Sequence, residues 1–66
     1  MITEIGIVAG EIWHHLDEHP YSLFSQVVAG IDRPRDLALM SLGWLAREGH
    51  VIVRQAGKEL HAALRR

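Results

Sequence analysis

The chain has 66 residues, enough for one small domain, and at that size folding buries only about 60% of the unfolded surface, so the core is marginal. It contains no cysteine, which excludes a disulfide framework and a cysteine zinc site, and no charge-free apolar stretch approaches the roughly 20 residues that cross a bilayer. The net charge of −1 hides an asymmetry: residues 1–32 hold five acids and no lysine or arginine (−5), while residues 33–66 hold all seven cations against three acids (+4), a polarity that can give a near-neutral protein one basic face.

The first helix is expected from Thr3, a good N-cap, to about Glu18, with Glu4 facing the positive end of the helix dipole. Ile5, Val8, Ala9, Ile12 and Leu16 recur at helical spacing as its core stripe. That stripe leaves Ile7 outside and sets Gly6, Gly10 and Trp13 on a second strip at i, i+4, i+7. Small residues beside a tryptophan let another element approach closely and offer it an apolar anchor. Packing of Trp13 on the chain's own hairpin accounts for the strip equally well.

His15 and His19 lie four residues apart, with Glu11 one turn before His15, so one face of this helix offers up to three metal ligands. His19 precedes Pro20, where the helix must end, and no HExxH motif is present. These histidines therefore read as boundary residues, as do His14, His50 and His61 at the surface, and neither a metal, a cofactor nor a catalytic site is expected. The chain is read as non-enzymatic.

After a short extended piece around Tyr21, Ser22 caps a second helix from Leu23 to about Ala29, with Leu23, Val27 and Val28 facing inward. Gly30 ends it and Ile31 drops into the core. Asp32 caps a third helix that tolerates Pro34 in its first turn and runs to Glu48. Its inner face is Ala38, Ser41, Leu42 and Leu45, flanked by Leu37 and by Trp44, which is expected against the hairpin. Gly49 stops the helix, because only glycine adopts the left-handed conformation there without a Cβ penalty.

His50 to Gln55 reads as a strand. Lys58–Leu64 supports strand or helix: Leu60, Ala62 and Leu64 alternate, while Leu60, Ala63 and Leu64 suit a helix. The Ala56-Gly57-Lys58 turn favours a hairpin. The whole chain, residues 1–66, then forms one α+β, mainly helical domain: a helix-turn-helix core with a short strand before the second helix and a terminal β-hairpin, or wing. Its core is expected from Ile5, Val8, Ile12, Leu16, Val27, Val28, Ile31, Leu37, Leu42, Leu45, Ile52 and Leu60.

In Glu4-Ile5-Gly6, Ala9-Gly10, Ile12-Trp13, Leu16 and the string Ser41-Leu42-Gly43-Trp44-Leu45-Ala46-Arg47-Glu48-Gly49, nearly the whole chain resembles the short stand-alone winged helix-turn-helix proteins of bacteria and archaea. The resemblance implies a three-helix core with a small sheet and wing, and no established activity. Arg33-Pro34-Arg35 departs from the plainer polar start expected of the third helix.

Two functions fit such a domain. In a winged helix the third helix enters the DNA major groove and the wing meets the backbone, which would give double-stranded DNA as partner and Arg33, Arg35, Arg47, Arg54 and Lys58 as contacts, with Arg65-Arg66 on the tail. The outward face of that helix is unusual for base reading, since it carries Asp36, Leu39, Met40, Gly43 and Arg47. The second function is a protein-interaction or homodimerisation module that uses Gly6, Ile7, Gly10, Trp13, Leu39 and Met40. The chain lacks the basic start and long apolar run of a secretory signal, and the expected setting is cytoplasmic, with no membrane partner.

Overall fold

A computed structural model describes residues 1–65; Arg66 lies outside the described residues. Three helices, α1 (Ile2–Glu18), α2 (Phe24–Ile31) and α3 (Arg35–Arg47), pack on strands β1 (Ser22–Leu23), β2 (Val51–Ala56) and β3 (Glu59–Leu64). The sheet is antiparallel in the order β1-β3-β2, so the last strand is central.

Helix starts and stops depart from the sequence reading, each for a local reason. α1 begins at Ile2 with Met1 as its cap, and Thr3 lies in the first turn, where the Met1 ammonium is 3.0 Å from the Glu4 carboxylate. Ser22 does not cap α2, because its hydroxyl donates to the His19 carbonyl at 2.6 Å and its backbone belongs to β1. Leu23 takes the cap position instead. Its N–H donates to Gln26 Oε1 at 2.8 Å, and the Ser25 N–H donates to Glu59 Oε1, also at 2.8 Å. A carboxylate from β3 thus satisfies an amide that the first turn of any helix leaves open.

Gly30 does not end α2, which continues through Ile31. Its role is spacing: a Cβ there would lie 2.5 Å from the His15 ring, so the absent side chain lets α1 and α2 approach. Asp32 does not cap α3; it is the C-cap of α2, in the left-handed conformation (φ 56°) that aspartate tolerates better than most residues. Pro34 is the N-cap of α3, and its carbonyl accepts the Ala38 N–H.

At the far end of α3 the chain turns as glycine dictates. Gly49 has φ +81°, its N–H donates to the Ala46 carbonyl, and the His50 N–H donates to the Leu45 carbonyl. This pair of bonds is the Schellman arrangement, and it delivers the chain straight into β2. Gly57 (φ +64°) is the first central residue of the β2–β3 turn, the place where a type II′ hairpin needs it. The segment that read as either strand or helix is β3. It pairs from Ala56↔Glu59 to Val51↔Leu64 on one side and with Ser22 and Leu23 on the other, and the Arg65 N–H extends the ladder to the His50 carbonyl.

The core comprises Val8, Ala9, Ile12 and Leu16 from α1, Phe24 and Val27 from α2, Ala38, Leu42 and Leu45 from α3, with Val51 and Ala62 from the sheet. Val28, Ile31, Leu37, Val53, Leu60 and Leu64 pack against it half-buried. Two expected core residues are corrected. Ile52 is 39% exposed, because Val51 is the inward residue of β2 and side chains alternate along a strand. Ile5 is half-buried and stands outside the cluster, on a groove beside Trp44. Ser41 lies buried in the α3 face with its hydroxyl donating to the Leu37 carbonyl.

Nothing lies within 4 Å of a Cβ built on Gly49, so substitution there tests backbone conformation alone. Gly49→Ala is expected to lower the unfolding free energy by about 1–2 kcal/mol. Urea titration reads this as a lower midpoint with an unchanged slope.

Candidate nucleic-acid interface

The helical period turns Ala38, Ser41, Leu42 and Leu45 of α3 inward and leaves Asp36, Leu39, Met40, Gly43 and Arg47 outward. Leu39 and Met40 are exposed, and Arg47 occupies the last turn, where a cation complements the negative helix end. Trp44 stands at the edge of this face, 46% exposed. It does not pack under the hairpin as expected. It lines a groove with Ile2, Ile5 and Gly6 of α1, and its ring centre is 6.3 Å from that of His50.

The candidate cations divide into two groups. Arg33 is spent within the fold: its Nε and Nη2 donate to the two carboxylate oxygens of Glu11, at 2.9 and 2.7 Å, tying the α2–α3 turn to α1. The same fork holds the Glu11 carboxyl below the usual carboxylate range and occupies the Nε–Nη2 side of the Arg33 guanidinium. Arg35 lies with its guanidinium carbon 4.8 Å from the Phe24 ring centre; the Glu59 carboxyl is depressed first by the Ser25 side chain, then by the Ser25 amide, and to a smaller extent by the Arg35 charge. Arg35 is thereby set beside the start of β3, near the turn that carries Lys58. Arg54 is exposed on the outer side of β2, Lys58 is exposed at the turn, and Arg65 is exposed just past β3. Arg47 lies at the other end of α3, so the structure does not gather the five predicted residues into one cluster.

On α1, Gly6 and Gly10 have open space where a Cβ would be, Ile7 is exposed, and Trp13 is partly exposed with its ring edge-on to His14. Glu11 is held by Arg33, the His15 and His19 rings are 4.7 Å apart, and no group of three or more His, Cys, Asp or Glu able to hold a metal occurs among the described residues. His15 Nε2 is 3.4 Å from Ser22 Oγ, whose proton is committed to the His19 carbonyl. Burial first, then the charge of His19, pushes the His15 imidazole below its ordinary value, against a smaller opposing effect of Glu18.

Two features escaped the sequence reading. Phe24 is a core residue, and its spacing from Val27 and Val28 (i, i+3, i+4) is the signal that could have found it. Tyr21 is not extended. It has φ 64°, a conformation that costs a bulky residue about 1–3 kcal/mol, and its ring stacks on His61 at 5.2 Å with 13° between planes. No local pattern pairs residues forty positions apart; only the β1–β3 register brings them together.

A family model described as a winged helix-turn-helix domain (DUF2582) matches residues 1–64. The solution NMR structure of protein BT2368 from Bacteroides thetaiotaomicron superposes with a TM-score of 0.82 at 22% identity, over 94% of this chain and 76% of that one, a likeness of fold. No curated protein matches the chain. No helix among the described residues is long and apolar enough to cross a membrane.

The depressed His15 gives stability a defined pH dependence. Its contribution is complete above the unfolded value of about 6.5 and is lost as pH falls below it, because the unfolded chain then binds the proton first. Glu4, Glu11 and Glu59, also depressed, lose theirs at lower pH, below the ordinary carboxylate value. Urea midpoints followed from neutral to acid pH are expected to fall in two stages. His15→Gln should remove the first stage and keep the second.

Proposed function

The chain belongs to the winged helix-turn-helix domain family (DUF2582), and from that premise we propose that it is a non-enzymatic, nucleic-acid-binding regulator that meets the DNA backbone with α3 and the hairpin. The observation that carries this reading is the placement of its cations. All seven lie in residues 33–66, and of the described six only Arg33 is engaged in an ion pair. Arg35 at the start of α3, Arg47 at its end, Arg54 on the sheet and Lys58 on the hairpin turn are the phosphate contacts.

The outward face of α3 limits what such binding reads. Asp36 repels phosphate, and Leu39 and Met40 offer a base edge no hydrogen bond. Affinity therefore comes chiefly from the backbone, with little sequence discrimination. Titration of a labelled random-sequence duplex tests this. With four phosphate contacts the slope of log affinity against log salt is expected near roughly −3.6, and each of Arg35→Ala, Arg47→Ala, Arg54→Ala and Lys58→Ala should shrink it by about 1. No binding at low salt, where electrostatic association is strongest, would overturn the reading.

A second reading has its own support. Leu39, Met40 and Trp44 are all exposed on α3, and Trp44 opens on the apolar groove with Ile2, Ile5 and Gly6. Such a face suits a protein-interaction module, with a second copy of the chain as the simplest partner. Sedimentation velocity distinguishes the two. On this reading the wild type sediments as a dimer and the Leu39→Ser/Met40→Ser double variant as a monomer; a monomeric wild type excludes self-association.

A further inference from the structure

Strand alternation presses one side of the sheet onto the helices and gives the other to solvent. Val51, Val53, Leu60, Ala62 and Leu64 pack on the core, so Ile52, Arg54, His61 and Ala63 face away. The register lines Leu23, His61 and Arg54 in one row across the three strands, with Ile52 and Ala63 in the next. Beside these rows stands Tyr21, 73% exposed and stacked on His61. Its left-handed backbone is held from the following residue, where Ser22 bonds the His19 carbonyl and pairs with Ala62. The tyrosine holds a conformation that glycine would adopt freely, and in it displays its ring to water.

We propose that this outer sheet face binds unpaired nucleic-acid bases, with the Tyr21–His61 stack as the platform on which a base lies and Arg54 and Lys58 holding the neighbouring phosphates. The inference rests on the nucleic-acid reading above and adds single strands to its ligands, held on a second face. The exposed tyrosine offers a base an aromatic partner whatever its sequence, whereas the bases of a duplex are already stacked on one another. The cations of this face suit a phosphate backbone on the Arg54 side of the stack, while Asp17 lies on the other side, in the pocket it lines with Tyr21 and Ala63. Arg54, Lys58 and Arg65 are free of ion pairs among the described residues. The one acid of the two long strands, Glu59, has its carboxylate engaged by the Ser25 amide beside Arg35.

Fluorescence anisotropy with three labelled probes of equal length tests the proposal: an oligothymidylate of about twelve nucleotides, an abasic strand and a random duplex. Wild-type protein is expected to bind the oligothymidylate more tightly than the abasic strand. Tyr21→Gly removes the ring while suiting the backbone, and should weaken oligothymidylate binding by roughly 5- to 150-fold without changing duplex affinity. Tyr21→Phe, which keeps the ring, should stay within about twofold of wild type. Equal affinity for the abasic strand overturns the proposal through the wild type alone, and so does a folded Tyr21→Gly variant that binds like wild type. Binding of the duplex but not the single strand overturns this inference and leaves the broader reading standing; binding of neither overturns both.

Discussion

The left-handed glycine that ends α3 is the constraint from which the rest of the surface follows. Gly49 reverses the chain within two residues, and its hydrogen bonds to the last turn fix where β2 begins. Strand parity then admits no compromise: with Val51 turned to the core, Ile52 and Arg54 must face outward. Pairing carries the same parity into β3, where Ala62 is inward and His61 outward, and from there into β1. One backbone torsion thus decides which half of the hairpin is core and which is available to a ligand.

The second organising feature is the use made of charge. Contrast between an acidic first half and a basic second half suggests simple mutual neutralisation, and part of it is spent that way, in the Glu11–Arg33 fork that fastens α1 to the α2–α3 turn. Both groups are partly exposed, so the pair contributes modestly to stability and chiefly fixes geometry. Glu59 serves differently, as a carboxylate at the start of α2 satisfying an amide that its own helix leaves open. With these two acids occupied, the remaining cations lie at the ends of α3, beside the exposed Asp36 and Glu48, and on the hairpin.

That surface does not follow the plan of a base-reading winged helix. A recognition helix ordinarily presents polar side chains to the groove. Here α3 presents an acid, a glycine, two apolar residues and one arginine, while polar and aromatic groups gather on the sheet. A shared fold supplies the scaffold without prescribing which face is used, and the face must be argued from its own chemistry.

Residues whose consequences are local were legible in the sequence. The three helices, the glycine stop at Gly49, the hairpin turn at Gly57 and most of the core stripe depend on intrinsic conformational preference and on a period of 3.6 or 2 along the chain. The sequence by itself therefore determined a helix-turn-helix followed by a wing. Choices that depend on competition between distant groups were decided only by tertiary structure. Ser22 is lost as a cap because a carbonyl and a strand partner claim it, Gly30 serves the approach of His15 and not the end of a helix, and Arg33 is paired with Glu11. The turn at Gly57 already favoured a hairpin over a helix for residues 58–64; pairing with both β1 and β2 fixed its register and with it the meeting of Tyr21 and His61. Such pairings arise from register across forty residues of chain, and no local pattern encodes a register.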